Sequence, residues 1–178
     1  MSELEDFRAE KDAFFRDDPR SPLLAEQRED FDGLAYFPEE PSLVLRSSLE
    51  IDGVDLNELV VMETTGGGRQ EYRRAGIVRF EVDGETAQLT LYAAPGDDEL
   101  FLPFRDATSG HESYGAGRYV EVEPPDAAGE VEVDFNLAYN PNCAYNPDWA
   151  CPLPPVENWI RVPIRAGEKV FPGAPSVH

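Results

Sequence analysis

Over residues 2–17 the apolar positions Leu4, Phe7, Phe14 and Phe15 fall near one face of a 3.6-residue period, with acids and arginines on the other. Ser2, followed three residues later by Glu5, forms a capping-box pattern at the start. Asp17-Asp18-Pro19 ends the helix, because the residue before a proline is biased toward extended backbone. A second, short helix is expected from Ser21 as N-cap and Pro22 as first helical residue to about Phe31, with Gly33 as its stop. Phe31, Leu34, Tyr36 and Phe37 then form an aromatic cluster that runs into Pro38.

From Ser42 the period changes from 3.6 to 2. Leu43/Leu45 and Leu49/Ile51 predict one extended strand, and Leu59–Met62 a second. A turn at Thr65–Gly68 leads into Glu71–Ala75, and Ile77–Val82 alternates cleanly. Asp83-Gly84 is a strong hairpin turn, from which Gln88–Tyr92 returns. Leu100–Phe104, Arg118–Val122 and Val131–Phe135 complete the series. About eight strands separated by hairpin turns predict a mainly β fold, an antiparallel barrel or curved sandwich with N-terminal helices. Nothing marks a linker, so we expect a single domain over 1–178, with a helical segment, 1–40, packed on a β domain, 42–170.

The stretch Asp134–Lys169 has no secondary-structure period. It holds both cysteines and both tryptophans and is dense in proline and asparagine, too apolar for a linker and too broken for a helix or central strand. We expect it to cross one end or face of the sheets as a Pro/Asn/Cys-rich loop and to return through Trp159–Val162 into Ile164–Val170 as a last extended segment.

Thirty-six acids face fifteen bases, a formal net charge of −21, and only Lys11 and Lys169 among the bases are lysines. Such a surface repels nucleic acid and anionic membrane, so neither is an expected partner. The acids are scattered through every segment rather than gathered in a tail, which favours adaptation to a multi-molar-salt, archaeal-type cytoplasm over a generic acidic domain. The N-terminus is charged throughout, lacks the pattern of a secretory signal, and points to a cytoplasmic location.

The segments FRAEKDAFFRDDPRSPL, FDGLAYFPEEP and TTGGGRQEYRRAGIVRFEVDG, then ELFLPFRDATSGHESYGAGRYVEVEP, and above all DFNLAYNPNCAY, CPLPPVEN and AGEK, resemble the DUF1684 family of bacterial and archaeal proteins. Asp106, Thr108, Gly110, Tyr114, Gly117, Arg118 and Tyr119 fit one of its patterns. That family has no assigned function, so the resemblance implies no catalytic residues.

Candidate chemistry must therefore come from the residues. Cys143 and Cys151 are spaced C-x7-C, wider than the usual zinc pair, and with few further donors we expect no metal and no cofactor. His111 is the sole internal histidine available to a thiol nucleophile. Two small buried residues pinning the loop are the favoured reading of the cysteines. Asn140-Pro141 and Asn146-Pro147 are turn chemistry. Asn136 and Asn158 flank the loop instead, and with Tyr139 their side chains suit a polar ligand at a barrel mouth. Arg118, if inward, needs a carboxylate from Asp106, Asp134 or Glu157, and such a fork beside Tyr114 could orient a small anion. Asp106, Tyr114, Arg118, Asn136, Tyr139, Glu157 and Asn158 are thus the candidate ligand-binding residues of a small-molecule-binding barrel. The alternatives are a hydrolytic enzyme built on Arg118, Tyr114, Asn136, Glu157 and Cys143, and a structural or protein-interaction domain with no small ligand. The sequence leaves the oligomeric state open.

At molar salt the Debye length falls to about 3 Å and self-repulsion is screened. The thermal unfolding midpoint should therefore be higher in molar KCl than in dilute buffer. Equal midpoints by circular dichroism would remove the salt-adaptation reading.

Overall fold

The computed structural model describes residues 2–172. Two helices come first, α1 (Glu3–Asp17) and α2 (Ala25–Glu29). Seven strands follow: β1 (Val44–Ser48), β2 (Leu59–Glu63), β3 (Arg69–Val82), β4 (Glu85–Ala93), β5 (Leu100–Phe104), β6 (Arg118–Val122) and β7 (Glu130–Asp134). Short 3₁₀ turns occupy Pro41–Leu43, Phe135–Leu137, Asn142–Ala144 and Val156–Asn158. Among the described residues the strands make two antiparallel sheets, one in the order β2-β3-β4-β5-β6 and one of β1 with β7. The expected mainly β architecture is present as a sandwich-like pair of sheets with no closed barrel.

α1 begins as its sequence dictates, with Ser2 Oγ accepting from the Glu5 amide at 3.1 Å. The second helix is shorter than expected. Ser21 does not cap it, because its hydroxyl donates to the Phe15 carbonyl at 2.9 Å and so ties down the end of α1. α2 instead starts after Leu24, whose amide donates to the Gln27 side chain at 2.7 Å.

The two strands expected at 71–75 and 77–82 are one continuous strand, β3, interrupted by a bulge between Arg74 and Gly76. The bulge shifts the side-chain parity. Before it, Tyr72 points to the face shared by Tyr92 and Phe101; after it, Val78 and Phe80 point to the opposite face with Leu89 and Leu102. Gly76 is required by close approach. A Cβ there would lie 2.5 Å from Leu49 Cγ and 3.0 Å from the Glu50 carbonyl. That approach lets Glu50 bridge Ile77 through paired backbone bonds of 2.8 and 2.9 Å, so β3 reaches the chain leaving β1. The β3–β4 hairpin turns on Asp83 and Gly84, both left-handed at φ 52° and 81°.

The main core lies on the Val78 face. Leu89 and Leu91 of β4, Leu102 and Phe104 of β5, and Val120 and Val122 of β6 meet Val131 and Val133 of β7 and Phe135 after it. The other face carries Tyr72, Tyr92, Phe101 and Tyr119, and the proline-rich strap lies against it, with Tyr119 Oη donating to the Pro152 carbonyl. β4 is thus buried on both faces, which explains its run of enclosed residues from Leu89 to Tyr92.

The expected final extended segment does not form a strand. Between Trp159 and Val170 only single bridges occur, Arg105 with Trp159 and Tyr36 with Glu168. The carbonyls that a neighbouring strand would take are claimed by a side chain, described below. No helix among the described residues is long and apolar enough to cross a membrane.

Replacing Gly76 with valine should push Leu49 and the Glu50 carbonyl away and destabilise the protein by about 1–3 kcal/mol. Urea denaturation measures this, and an unchanged midpoint would show that the bulge tolerates a side chain.

Candidate functional site

Arg118 is the first residue of β6 and sits opposite Phe104 in the register, so its side chain enters the apolar core face. It is fully buried. Nη1 donates to the carbonyls of Ala166 at 2.5 Å and Glu168 at 3.1 Å, and Nη2 to that of Ile164 at 2.8 Å. The carboxylate it requires is Asp106, at a longer 3.4 Å. Asp106 accepts in turn from the Ile164 amide at 2.6 Å and from Thr108 Oγ1 at 2.8 Å. Desolvation lowers the Arg118 pKa, and Asp106 opposes it. Arg118 and Asp106 meet through one long contact rather than a fork, and the guanidinium grips backbone from Ile164 to Glu168 rather than bordering a cavity.

Asn158 does comparable work elsewhere. The register of β4 with β5 stops after Tyr92 opposite Phe101. Two residues further in, the same register would set Thr90 against Pro103, and proline has no amide to donate. Asn158 enters there, fully buried. Its Oδ1 accepts from the Thr90 amide at 2.9 Å, and its Nδ2 donates to the carbonyls of Thr90 at 2.8 Å and Pro103 at 2.7 Å. The side chain replaces the missing rung, and residues 158–160 then pair with Arg105 at 3.0 and 2.9 Å. Asn136 repeats the device, taking the Glu40 amide at 2.8 Å and donating to the Glu40 carbonyl at 3.0 Å.

The remaining candidates lie in other networks. Glu157 accepts from Tyr92 Oη and from Arg74 Nε, the latter at 3.1 Å. Tyr114 Oη is 3.7 Å from Cys143 Sγ. Cys143 and Cys151 are buried free thiols, whereas His111 is exposed. Tyr139 pairs with Tyr119 through backbone bonds of 2.9 Å in each direction, and its hydroxyl donates to Glu121. The seven residues therefore do not form one constellation. Asp106 and Arg118 are brought together; Asn136, Asn158, Glu157 and Tyr114 each serve a separate junction. Among the described residues no group of three or more His, Cys, Asp or Glu side chains is placed to hold a metal ion.

Tyr139 leads to an open concavity. A groove of about 410 Å³ runs between α1 and the β6 edge, lined by Phe7, Glu10, Lys11, Phe14, Phe15, Glu121 and Tyr139. Phe7, Lys11 and Phe14 share one stripe of α1 at i, i+4 and i+7. Phe15 turns away into a cluster with Leu23, Tyr145 and Phe171. Phe7 and Phe14 remain 45% and 38% exposed. Lys11 is anchored beneath them by the buried Glu168 carboxylate and stands 5.0 Å from the centre of the Tyr139 ring. Its charge is thus already paired, while Glu10 and Glu121 leave the groove acidic. Desolvation raises the Glu121 carboxyl above its ordinary value, and nearby Glu99 adds to the shift.

The sequence profile of a family described as proteins of unknown function, DUF1684, matches residues 29–169. The chain belongs to the DUF1684 family. The solution NMR structure of an uncharacterized protein of Haloarcula marismortui is similar to it. That protein is 40% identical over 93% of this chain and 91% of its own, with a TM-score of 0.71. Among curated proteins none matches. The family match spans the Asp106–Arg118 pair, both surrogate-backbone asparagines and Glu168. The groove is completed from outside the matched region by α1.

Sequence reasoning missed Phe7, Lys11, Phe14 and Glu121 as groove residues. The stripe on α1 was readable, but Phe7 and Phe14 looked like core. Glu121 lies between Val120 and Val122 and looked like an ordinary outward residue of an alternating strand.

Asn158→Ala should leave Thr90 and Pro103 without partners in a buried seam, each orphaned group costing roughly 1–3 kcal/mol. The denaturation midpoint should fall, and the Thr90 amide should lose protection from hydrogen exchange. Wild-type protection at Thr90 in the variant would contradict the surrogate-rung role.

Proposed function

We propose that this DUF1684 protein binds a small organic cation with an apolar body in the groove between α1 and β6. The observation that carries the proposal is the lining: aromatic side chains of Phe7, Phe14 and Tyr139 together with the carboxylates of Glu10 and Glu121, and one lysine neutralised by Glu168. Aromatic faces attract cations through their quadrupole, and a partly desolvated carboxylate strengthens the attraction. A mostly apolar concavity with few convergent polar groups is where a small ligand is expected. This moves the small-molecule-binding site from the barrel mouth to the helix–sheet edge. The acidic surface supports action in a high-salt cytoplasm as one domain.

A second reading, a structural or protein-interaction domain, draws on a different observation. Arg118, Asn136 and Asn158 spend their hydrogen bonds on the protein's own backbone.

The two separate by titrating the protein with benzyltrimethylammonium in molar KCl and following backbone NMR shifts. Saturable shifts should be confined to α1 and the Glu121–Tyr139 region, and Glu121→Gln should weaken binding roughly tenfold, about 1.4 kcal/mol. Affinity should fall on acidification. Because the Glu121 pKa is raised, the carboxylate is protonated, and the cation released, at higher pH than the ordinary glutamate value of about 4.3. Saturable shifts elsewhere, or equal binding by the variant, would remove the groove assignment and leave the interaction domain.

A further inference from the structure

Cys143 and Cys151 take no part in the groove. Cys143 lies on the Asn142–Ala144 turn, and Cys151 opens the strap that runs into Pro152. Both are buried in one small cluster with Tyr114, Tyr119 and Ala144. Both are free thiols packed in that cluster. Around them are polar groups that an inert core pair would not need. The Tyr114 hydroxyl stands 3.7 Å from Cys143 Sγ. Thr65 Oγ1 accepts the Cys151 amide at 3.1 Å.

The environment divides the pair into unequal halves. Hydrogen bonds from the Cys151 thiol, then from the Tyr114 and Thr65 hydroxyls, stabilise the Cys143 thiolate and lower its pKa although burial opposes this. Cys151 is shifted the other way, by the adjoining Cys143 sulfur and by burial. Of the two sulfurs, Cys143 is the one with the Tyr114 hydroxyl beside it and the one whose thiolate the surroundings favour.

We propose that Cys143 and Cys151 form a peroxide-sensitive dithiol, with Cys143 the attacking sulfur and Cys151 the resolving one, whose oxidation staples the proline strap to the Asn142–Ala144 turn. The oxidant is hydrogen peroxide, small enough for an enclosed pair. The Cys143 thiolate attacks one peroxide oxygen and the O–O bond breaks. Hydroxide departs, takes a proton from solvent and becomes water, leaving a sulfenic acid on Cys143. The Cys151 sulfur then attacks the sulfenic sulfur. The S–O bond breaks, the S–S bond forms, and the hydroxyl leaves with the Cys151 proton as a second water. The two cysteines lose two electrons, and one peroxide is reduced to two waters.

The test uses the full chain, treated with equimolar hydrogen peroxide, quenched with an alkylating agent under denaturing conditions and weighed intact. The expected product has lost two hydrogen masses, takes up no alkyl group and yields one peptide pair linking Cys143 to Cys151 within a single chain. In Cys151→Ser the same dose should leave a sulfenic acid on Cys143 that a cyclic dione traps. In Cys143→Ser, oxidation of Cys151 should be roughly tenfold slower or more, because a protonated thiol is a poor nucleophile. The wild-type rate should rise with pH and level off below the ordinary thiol pKa of about 8.5. Unmodified wild-type protein, sulfinic acids without a linkage, or a link between chains would overturn the proposal. Equal reactivity of the two single variants, or a rate still rising through the ordinary thiol range, would overturn the division of roles.

Discussion

A single buried guanidinium organises the C-terminal third of this fold. Arg118 enters the core at the start of β6, where its neighbours in the register and cluster are apolar. An unpaired charge there would cost several kcal/mol. What offsets the cost is one carboxylate and three carbonyls, from Ile164, Ala166 and Glu168. These carbonyls alternate along a run that has no strand beside it. Arg118 supplies donors that a strand would have supplied, so the carbonyls of the run are satisfied without its belonging to a sheet. Its far end then presents the Glu168 side chain to Lys11, Tyr145 and the Asn140 amide. The placement of α1 is therefore linked to a residue on the opposite side of that run.

Asn158 and Asn136 apply the same principle on a smaller scale. Each carboxamide has one acceptor and two donor hydrogens, enough to imitate a peptide group. Where proline removes a donor, or where a turn leaves an amide and carbonyl facing nothing, such a side chain completes the ladder. This is why Asn136, Glu157 and Asn158, at the ends of the proline-rich loop, read as candidate ligand-binding residues. Amides, carboxylates and an arginine are needed for ligand recognition, and the same groups are needed to fasten irregular backbone.

Legibility in the sequence followed that division. α1, its Ser2 cap, the Asp83-Gly84 hairpin and the position of each strand through β7 were visible because periodicity and turn chemistry are local signals. The bulge at Arg74–Gly76 was visible only as a gap between two alternating runs, since a parity change looks the same whether the strand ends or kinks. The pairing of β1 with β7 had no local signature, and neither did the failure of 159–170 to become a strand. That failure depends on Arg118, some fifty residues earlier in the chain. Of the candidate site residues, the need of a buried charge placed Asp106 among three possible partners of Arg118 without choosing between them. The sequence had no means of knowing that Asn136 and Asn158 were occupied by backbone, or that Glu121 and a stripe of α1 would share a concavity.

The proline at position 103 also imposes an order in time. Synthesis brings β4 and β5 out of the ribosome first, and Asn158 follows 55 residues after Pro103. Through that interval Thr90 and Pro103 face one another with no complement, and the middle of the five-stranded sheet is an open slot. Any chain released or cleaved before the slot is filled carries that defect at the centre of its largest sheet. Intermediates with unpaired strand backbone are the ones that aggregate and engage chaperones. A missing backbone hydrogen on one strand thus makes a segment synthesised later the part that certifies an earlier one.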